Sequence, residues 1–159
     1  MTLDDWRWNA DQFNRIGERV HVAGMRFAYH NHTPEFRSEN GVVFYDELMR
    51  QTDPAKVAME LDCGWAAVAG QRPTELLTRY ATRIIMLHVK DFKMSLGVAP
   101  LPVPPSTELG HGAIDYRSVF EASRRANNIE HIFVEQEEFD MPPMEALKVD
   151  ADYMRSFKN

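Results

Sequence analysis

Apolar and polar positions along the chain alternate between helical and strand-like spacings. Between residues 3 and 23 apolar side chains recur at helical intervals and Gly24 ends the pattern, which predicts a first helix. Further helices are predicted over 42–51, 73–81 and 115–127, and from residue 141 to the C-terminus. Pro73 suits the first turn of its helix, because that position needs no backbone N–H.

Four short apolar segments lie between these helices and predict strands over 25–30, 57–62, 83–89 and 131–135. The third is almost continuously apolar, as is typical of a strand that is buried on both faces. Residues 31–35 and the proline-rich stretch 94–107 are predicted to be loops. Strands that alternate with helices indicate an α/β fold, whose parallel sheet is joined by right-handed crossovers.

Composition narrows the class of protein. The 159 residues suggest a single domain over 1–159, and 44% apolar and 26% charged residues are ordinary for a globular chain. A net charge of −6 without a basic stretch argues against nucleic acid or an anionic membrane as a partner. No apolar stretch is long enough for a membrane span, and the acidic start does not resemble a signal peptide. The single cysteine, Cys63, fits a reducing cytoplasm.

Candidate chemistry lies at the predicted strand ends. In parallel α/β folds ligands bind at the carboxyl ends of the strands, and here all four strands deliver a histidine or carboxylate there. Asp62, His88 and Glu135 form a ligand set for a divalent cation, with His30 or Glu35 as the fourth member. Such a cation would hold two adjacent sugar oxygens and polarise a carbonyl, while a spare base nearby moves a proton.

Simpler interpretations exist for each of these residues. A single polar residue at a strand end is more often a loop cap than a ligand. His30 and His32 point to one face of a regular strand, which favours a site, but buried histidine pairs also pack together. The stretch from Lys90 to Lys93 is equally consistent with a solvated row of ion pairs. Glu137 and Glu138 are interpreted as solvated surface charges.

Five segments in order resemble one known family. They are FAYHNHTPEF (27–36), ELDCGW (60–65), RIIMLHVKD (83–91), ELGHGAID (108–115) and FVEQ (133–136). Together they are similar to segments of bacterial sugar phosphate isomerase/epimerase proteins, within the xylose isomerase-like TIM-barrel superfamily. The resemblance implies a (β/α)8 fold, of which this chain would carry about four βα units, corresponding to strands five to eight.

The resemblance also implies roles for individual residues. Relatives hold a divalent metal (Mn, Mg, Zn or Co) with Glu, Asp, His and Glu in chain order, and Asp62, His88 and Glu135 match the last three. His30 stands where many relatives have the first glutamate, so His30 is the expected metal ligand and Glu35 a substrate or metal contact. Glu135 and His32 are then the expected proton-transfer residues.

Trp65 would stack on a sugar face, and Lys90 would contact a substrate oxygen or phosphate. The implied function is a metal-dependent isomerase or epimerase of a sugar, keto-sugar or sugar phosphate, acting through an enediolate. A lyase on the same scaffold (a dehydratase or keto-glycoside eliminase) and a non-catalytic truncated half-barrel are the alternatives. A barrel of eight units needs roughly 250 residues. Four units would leave two sheet edges open, so a homo-oligomer or a fragment of a longer protein is expected.

Overall fold

The computed structural model describes residues 1–94 and 103–157. The predicted helices are present, with bounds that differ by a few residues from those expected. The helices are α1 (Leu3–Val22), α2 (Phe44–Gln51), α3 (Cys63–Val68), α4 (Pro73–Arg79), α5 (Tyr116–Ala126) and α6 (Pro143–Arg155). A 3-10 turn covers Pro34–Phe36.

A parallel sheet of four strands forms the centre of the fold, as the alternation of elements predicts. The strands of this sheet are β1 (Phe27–His30), β4 (Val57–Asp62), β5 (Ile84–Val89) and β8 (His131–Val134), in the order β1-β4-β5-β8. Two short antiparallel pairs accompany it: β2 (Ser38–Glu39) with β3 (Val42–Val43), and β6 (Asp91–Phe92) with β7 (Ser106–Thr107). All four polar strand ends therefore lie at one edge of the main sheet.

The outward side chains of the two central strands build the core. Val57, Met59 and Leu61 of β4 are fully or almost fully buried, as are Leu87 and Val89 of β5. They pack under the helices and belong to one apolar cluster with residues of α3, α4 and α5. The opposite face of β5 is only partly buried at Met86 and His88, so the expectation of a strand buried on both faces holds for the outward face and only in part for the other.

The amino end of the sheet is spanned by an ion pair. Arg26 precedes β1 and Glu130 precedes β8, the two outermost strands, and Nη1 of Arg26 lies 2.5 and 2.7 Å from the two carboxylate oxygens of Glu130. Their side chains thus reach across the two strands that lie between them. Both partners are about half exposed, so the pair contributes little stability by itself.

Three features differ from the predicted elements. Helix α3 begins directly after β4, where no helix was predicted. The β2–β3 hairpin lies ahead of α2, and β3 occupies the first two residues of the helix predicted over 42–51. The end of the expected loop 94–107 contains β7, whereas residues 95–102 of that loop lie outside the described part of the chain.

Asp91 ties the segment after β7 to the sheet. Its carboxylate is fully buried and accepts hydrogen bonds from the backbone N–H groups of Gly110, Gly112 and Ile114, at 3.0 to 3.1 Å. A Cβ on Gly112 would lie 2.1 Å from this carboxylate, so glycine is required by the close approach. Asp91 is therefore a structural residue, unlike the solvated charge that one interpretation of the sequence allowed.

No helix in the described ranges is long and apolar enough to cross a membrane.

Candidate metal and catalytic site

Asp62 ends β4 and starts α3, and this double position fixes its carboxylate. One oxygen, Oδ1, accepts a hydrogen bond from the backbone N–H of Trp65 at 2.7 Å and so caps the helix. Asn31 holds the backbone of Asp62 from the neighbouring strand end, with its side-chain oxygen 3.0 Å from Asp62 N and its Nδ2 3.3 Å from Asp62 O. The second oxygen, Oδ2, remains directed at the site.

His88 on β5 is the register partner of Asp62 and points to the same face. Its Nδ1 lies 3.8 Å from Asp62 Oδ2 and 3.5 Å from Glu135 Oε2. Glu135 follows β8, and its backbone N–H donates to Val89 O at 3.1 Å, which anchors this residue beside β5. Three side chains from three neighbouring strands therefore converge on one point.

These three residues have the chemistry of a divalent-cation site. One ligand atom from each of Asp62, His88 and Glu135 lies within 4.8 Å of the others. Asp62 Oδ2 and His88 Nδ1 are buried and have no hydrogen-bond partner among the described residues. Buried polar atoms are normally satisfied, so two such atoms without partners, facing one another, fit a cation better than a vacant core. A second group, His30, Glu60 and His88, satisfies the same distance limit.

His30 lies at the edge of this cluster. Its Nε2 is 3.4 Å from Asp62 Oδ2, and its Nδ1 is 3.3 Å from Glu60 Oε2. Partial burial lowers the pKa of His30, but the Asp62 and Glu60 carboxylates outweigh this effect and hold the pKa above its usual value. The ring also packs edge-on against His88, with 4.6 Å between centroids.

Lys90 lies behind Glu135. Its Nζ is 2.6 Å from Glu135 Oε2 and 3.3 Å from Glu137 Oε1, and its side chain has no exposed surface. Partial burial raises the pKa of Glu135, but the Lys90 ammonium outweighs it and holds the pKa below its usual value. Lys90 therefore keeps Glu135 ionised, which suits both a metal ligand and a general base.

The remaining predicted site residues form two separate groups. His32 is exposed and its ring lies 5.8 Å from that of Trp65, so these two line the opening of the site. Glu35 is buried beneath them, with one oxygen accepting from Tyr29 Oη at 2.5 Å and the other from the backbone N–H of His32 at 3.1 Å. Both oxygens of Glu35 are thus engaged in holding its own loop.

Two acidic residues of the site were not predicted. Glu60 faces His30, and Glu137 faces Lys90. For Glu60 the signal was available, because it stands two residues before Asp62 on a regular strand and must share its face. For Glu137 there was no signal, since it follows the strand and only the return of the chain towards Lys90 brings it close.

Comparison with known proteins agrees with this architecture. Residues 2–157 match the family model for the xylose isomerase-like TIM barrel. Among curated proteins, the inosose dehydratase of Lacticaseibacillus casei is 29% identical over 148 residues, which cover 87% of this chain and 49% of that protein. The inosose dehydratase of Geobacillus thermodenitrificans is 28% identical over 132 residues, covering 77% of this chain and 44% of the relative.

A solved structure of a sugar phosphate isomerase/epimerase from Parabacteroides distasonis superposes with a TM-score of 0.83 at 26% identity, covering 99% of this chain and 55% of the other. The chain thus spans about half the length of the curated relatives it matches. The family match covers nearly every residue and agrees with the parallel sheet and its helices. This chain therefore belongs to the xylose isomerase-like TIM barrel family.

Proposed function

We propose that the chain carries the metal and proton-transfer site of an enzyme that isomerises or epimerises a sugar, keto-sugar or sugar phosphate. The observation that carries the proposal is the convergence of Asp62, His88 and Glu135, with two buried polar atoms that have no hydrogen-bond partner in the described part of the chain. The neighbouring sugar phosphate isomerase/epimerase fold supports the substrate class.

Four residues, His30, Asp62, His88 and Glu135, would hold the divalent metal ion. When bound, the ion would polarise the substrate carbonyl and neutralise the charge that develops on its oxygen. Glu135 removes the proton from the carbon next to the carbonyl, and the electron pair moves to the carbonyl oxygen to give an enediolate. In isomerisation the proton returns to the former carbonyl carbon while the hydroxyl proton moves from one oxygen of the enediolate to the other, and in epimerisation the proton returns to the opposite face of the carbon that lost it.

Residues around the opening have supporting roles in this proposal. His32 is exposed and can pass a proton to or from the substrate, and Trp65 offers an aromatic face to a sugar ring. A contact between Lys90 and a substrate oxygen would require its ammonium to turn away from Glu135, 2.6 Å away. A contact between Glu35 and substrate would likewise require it to release Tyr29.

Dehydration is the second candidate, because the curated relatives are named inosose dehydratase. The first step is the same removal of a proton beside a carbonyl. The enediolate then expels the hydroxyl group of the next carbon, which leaves as water after taking a proton from an acid such as His32. The two candidates differ only in the fate of the same intermediate.

Deuterium exchange tests the shared step. The full chain, supplied with Mn²⁺, is incubated in deuterated water with ketohexoses, their phosphates and a cyclitol ketone, and products are read by mass spectrometry. We expect deuterium incorporation that Glu135→Gln abolishes and Glu137→Gln retains, because both residues flank Lys90 but only Glu135 belongs to the ligand cluster.

The product mass separates the candidates. An isomer or epimer has the mass of the substrate apart from deuterium, whereas a dehydratase product is lighter by one water. Exchange that persists in Glu135→Gln would move the base role to His32. No exchange with any substrate would favour the non-catalytic alternative.

A further inference from the structure

His30 is held between two carboxylates of one strand. Glu60 and Asp62 are two residues apart on β4 and therefore face the same side of the sheet. The imidazole of His30 lies between them, with Nδ1 3.3 Å from Glu60 and Nε2 3.4 Å from Asp62. The two ring nitrogens thus have different partners: Nδ1 faces Glu60, and Nε2 faces Asp62 of the ligand cluster.

Metal-bound histidines usually donate their other ring N–H to a carboxylate, which fixes the tautomer and the ring orientation. We propose that Glu60 is such a positioning residue: it accepts the Nδ1–H of His30, so that Nε2 presents its lone pair beside Asp62. The inference rests on the proposed metal site and extends it, because it makes His30 the fourth ligand. Glu35, the alternative, has both oxygens occupied by Tyr29 and His32.

Cobalt titration measures the effect. Co²⁺ binding to the purified chain is followed by its visible absorption and by calorimetry. Glu60→Leu removes the acceptor at similar size and should weaken Co²⁺ binding about 10–100-fold, as loss of such partners typically does. Glu60→Gln keeps an acceptor oxygen and should recover most of the affinity. Met86→Leu, a change at the register partner of Glu60, is the control and should bind Co²⁺ like the unchanged chain. Glu35→Gln tests the alternative fourth ligand.

Nitrogen NMR provides a reading that packing alone would not change. In the Zn²⁺-loaded chain, long-range proton–nitrogen spectra should show a protonated Nδ1 and a coordinated Nε2 for His30. In Glu60→Leu the His30 signals should lose this single pattern. Thermal unfolding of each variant identifies a change that acts only by disrupting the fold.

The outcomes distinguish an error in the proposed metal site from an error in the role of Glu60. If the unchanged chain binds neither ion, the proposed metal site is wrong, and the role of Glu60 is then wrong too. If the chain binds Co²⁺ but Glu60→Leu binds equally well, or His30 coordinates through Nδ1, only the role of Glu60 is overturned. Weaker binding in Glu35→Gln, with Glu60→Leu unaffected, would make Glu35 the fourth ligand.

Discussion

Lys90 is completely buried, and its Nζ lies 2.6 Å from a carboxylate oxygen of Glu135. Burying an ammonium group is costly unless an opposite charge faces it, so Lys90 and Glu135 hold each other in place. The same Nζ lies 4.8 Å from the centroid of the Trp65 ring. Lys90 thus contacts both Glu135 of the ligand cluster and the ring of Trp65. A substitution that displaces Lys90 should therefore change the positions of both residues.

Gly64→Ala should make such a change. Its Cβ would lie 2.3 Å from Cγ of Lys90 and 2.7 Å from the backbone oxygen of Lys90, closer than packed atoms approach. Because a backbone atom cannot simply rotate away, we expect a loss of about 1–3 kcal/mol in the free energy of unfolding. Displacement of Lys90 should also slow deuterium exchange. Urea unfolding and the exchange assay measure the two effects.

Gly17→Ala is the matched control for this substitution. A Cβ at this buried position of α1 would lie 2.2 Å from the backbone oxygen of Lys56, so it should destabilise the chain similarly. Gly17 is not part of the ligand cluster, and the folded variant should exchange deuterium normally. Equal losses of exchange in the two folded variants, or a Gly64→Ala chain with full stability and full exchange, would contradict the role given to Lys90.

Asp62 combines two functions that substitutions can separate. Asp62→Asn keeps an oxygen to accept from the Trp65 N–H at the start of α3, but removes the charge directed at the site. We expect near-normal stability, with metal affinity lowered by more than about 100-fold, since even partners behind a ligand are worth about 10–100-fold. Asp62→Ala also loses the helix cap, which should lower the free energy of unfolding by a further ~0.5–2 kcal/mol. Calorimetric Co²⁺ titration and urea unfolding distinguish the two variants, and Asp62→Asn with unchanged affinity would exclude Asp62 as a ligand.

The strand-end residues could be predicted from the sequence because their positions follow from local rules. A period of two assigns faces, and parallel strands bring their carboxyl ends to one edge. These rules place His30, Asp62, His88 and Glu135 together without knowledge of any contact. The same rules also assign Glu60 to that face, two positions before Asp62, although no role was deduced for it.

Other features depend on contacts that sequence spacing does not encode. Helix α3 is six residues long and contains a glycine, so its helical signal is weak, and it forms under the cap supplied by Asp62. The β6–β7 pair joins two-residue strands, and it lies beside the backbone that buried Asp91 binds. Whether His30 or Glu35 faces the site depends on the 3-10 turn that brings Glu35 against Tyr29.

Acid stability should depend on Glu47. Side-chain hydrogen bonds from Arg50 lower the pKa of Glu47 to about 2 from an ordinary 4.5. Burial acts in the opposite direction, and hydrogen bonding from Arg7 adds to the lowering. A lowered pKa stabilises the fold fully above about pH 4.5, and this contribution disappears as the pH falls towards 2. Both arginines are about half exposed, so solvent screening limits the contribution to roughly 1–2 kcal/mol.

Glu47→Gln should therefore destabilise the chain at neutral pH, and its difference from the unchanged chain should shrink below pH 4.5. Urea unfolding at a series of pH values measures this. Glu121→Gln, a change on α5 at an exposed carboxylate without an ion pair among the described residues, should show no such convergence. A constant difference for Glu47→Gln down to pH 2 would show that the arginine contacts do not supply the stability.

Self-association is the last prediction, and it follows from the outer strand β8. In the described ranges β8 pairs only with β5, and its residues Ile132 and Phe133 are 38% and 44% exposed. An open strand edge with exposed apolar side chains favours pairing with another chain. Covering several hundred Å² of such surface is worth several kcal/mol at about 25 cal/mol per Å². We therefore expect a homodimer or a higher oligomer at micromolar concentration, measured by sedimentation equilibrium.

Ile132→Lys tests whether β8 lies in the interface, because a charge on a strand edge opposes pairing with another strand. This variant should shift the chain towards monomer without unfolding it, since Ile132 is already partly exposed. Val22→Lys is the control: Val22 is 79% exposed at the end of α1 and lies outside the sheet, so its variant should associate like the unchanged chain. Equal loss of association in both variants would implicate general surface charge, and a stable folded monomer of the unchanged chain would show that the exposed edge of β8 needs no partner.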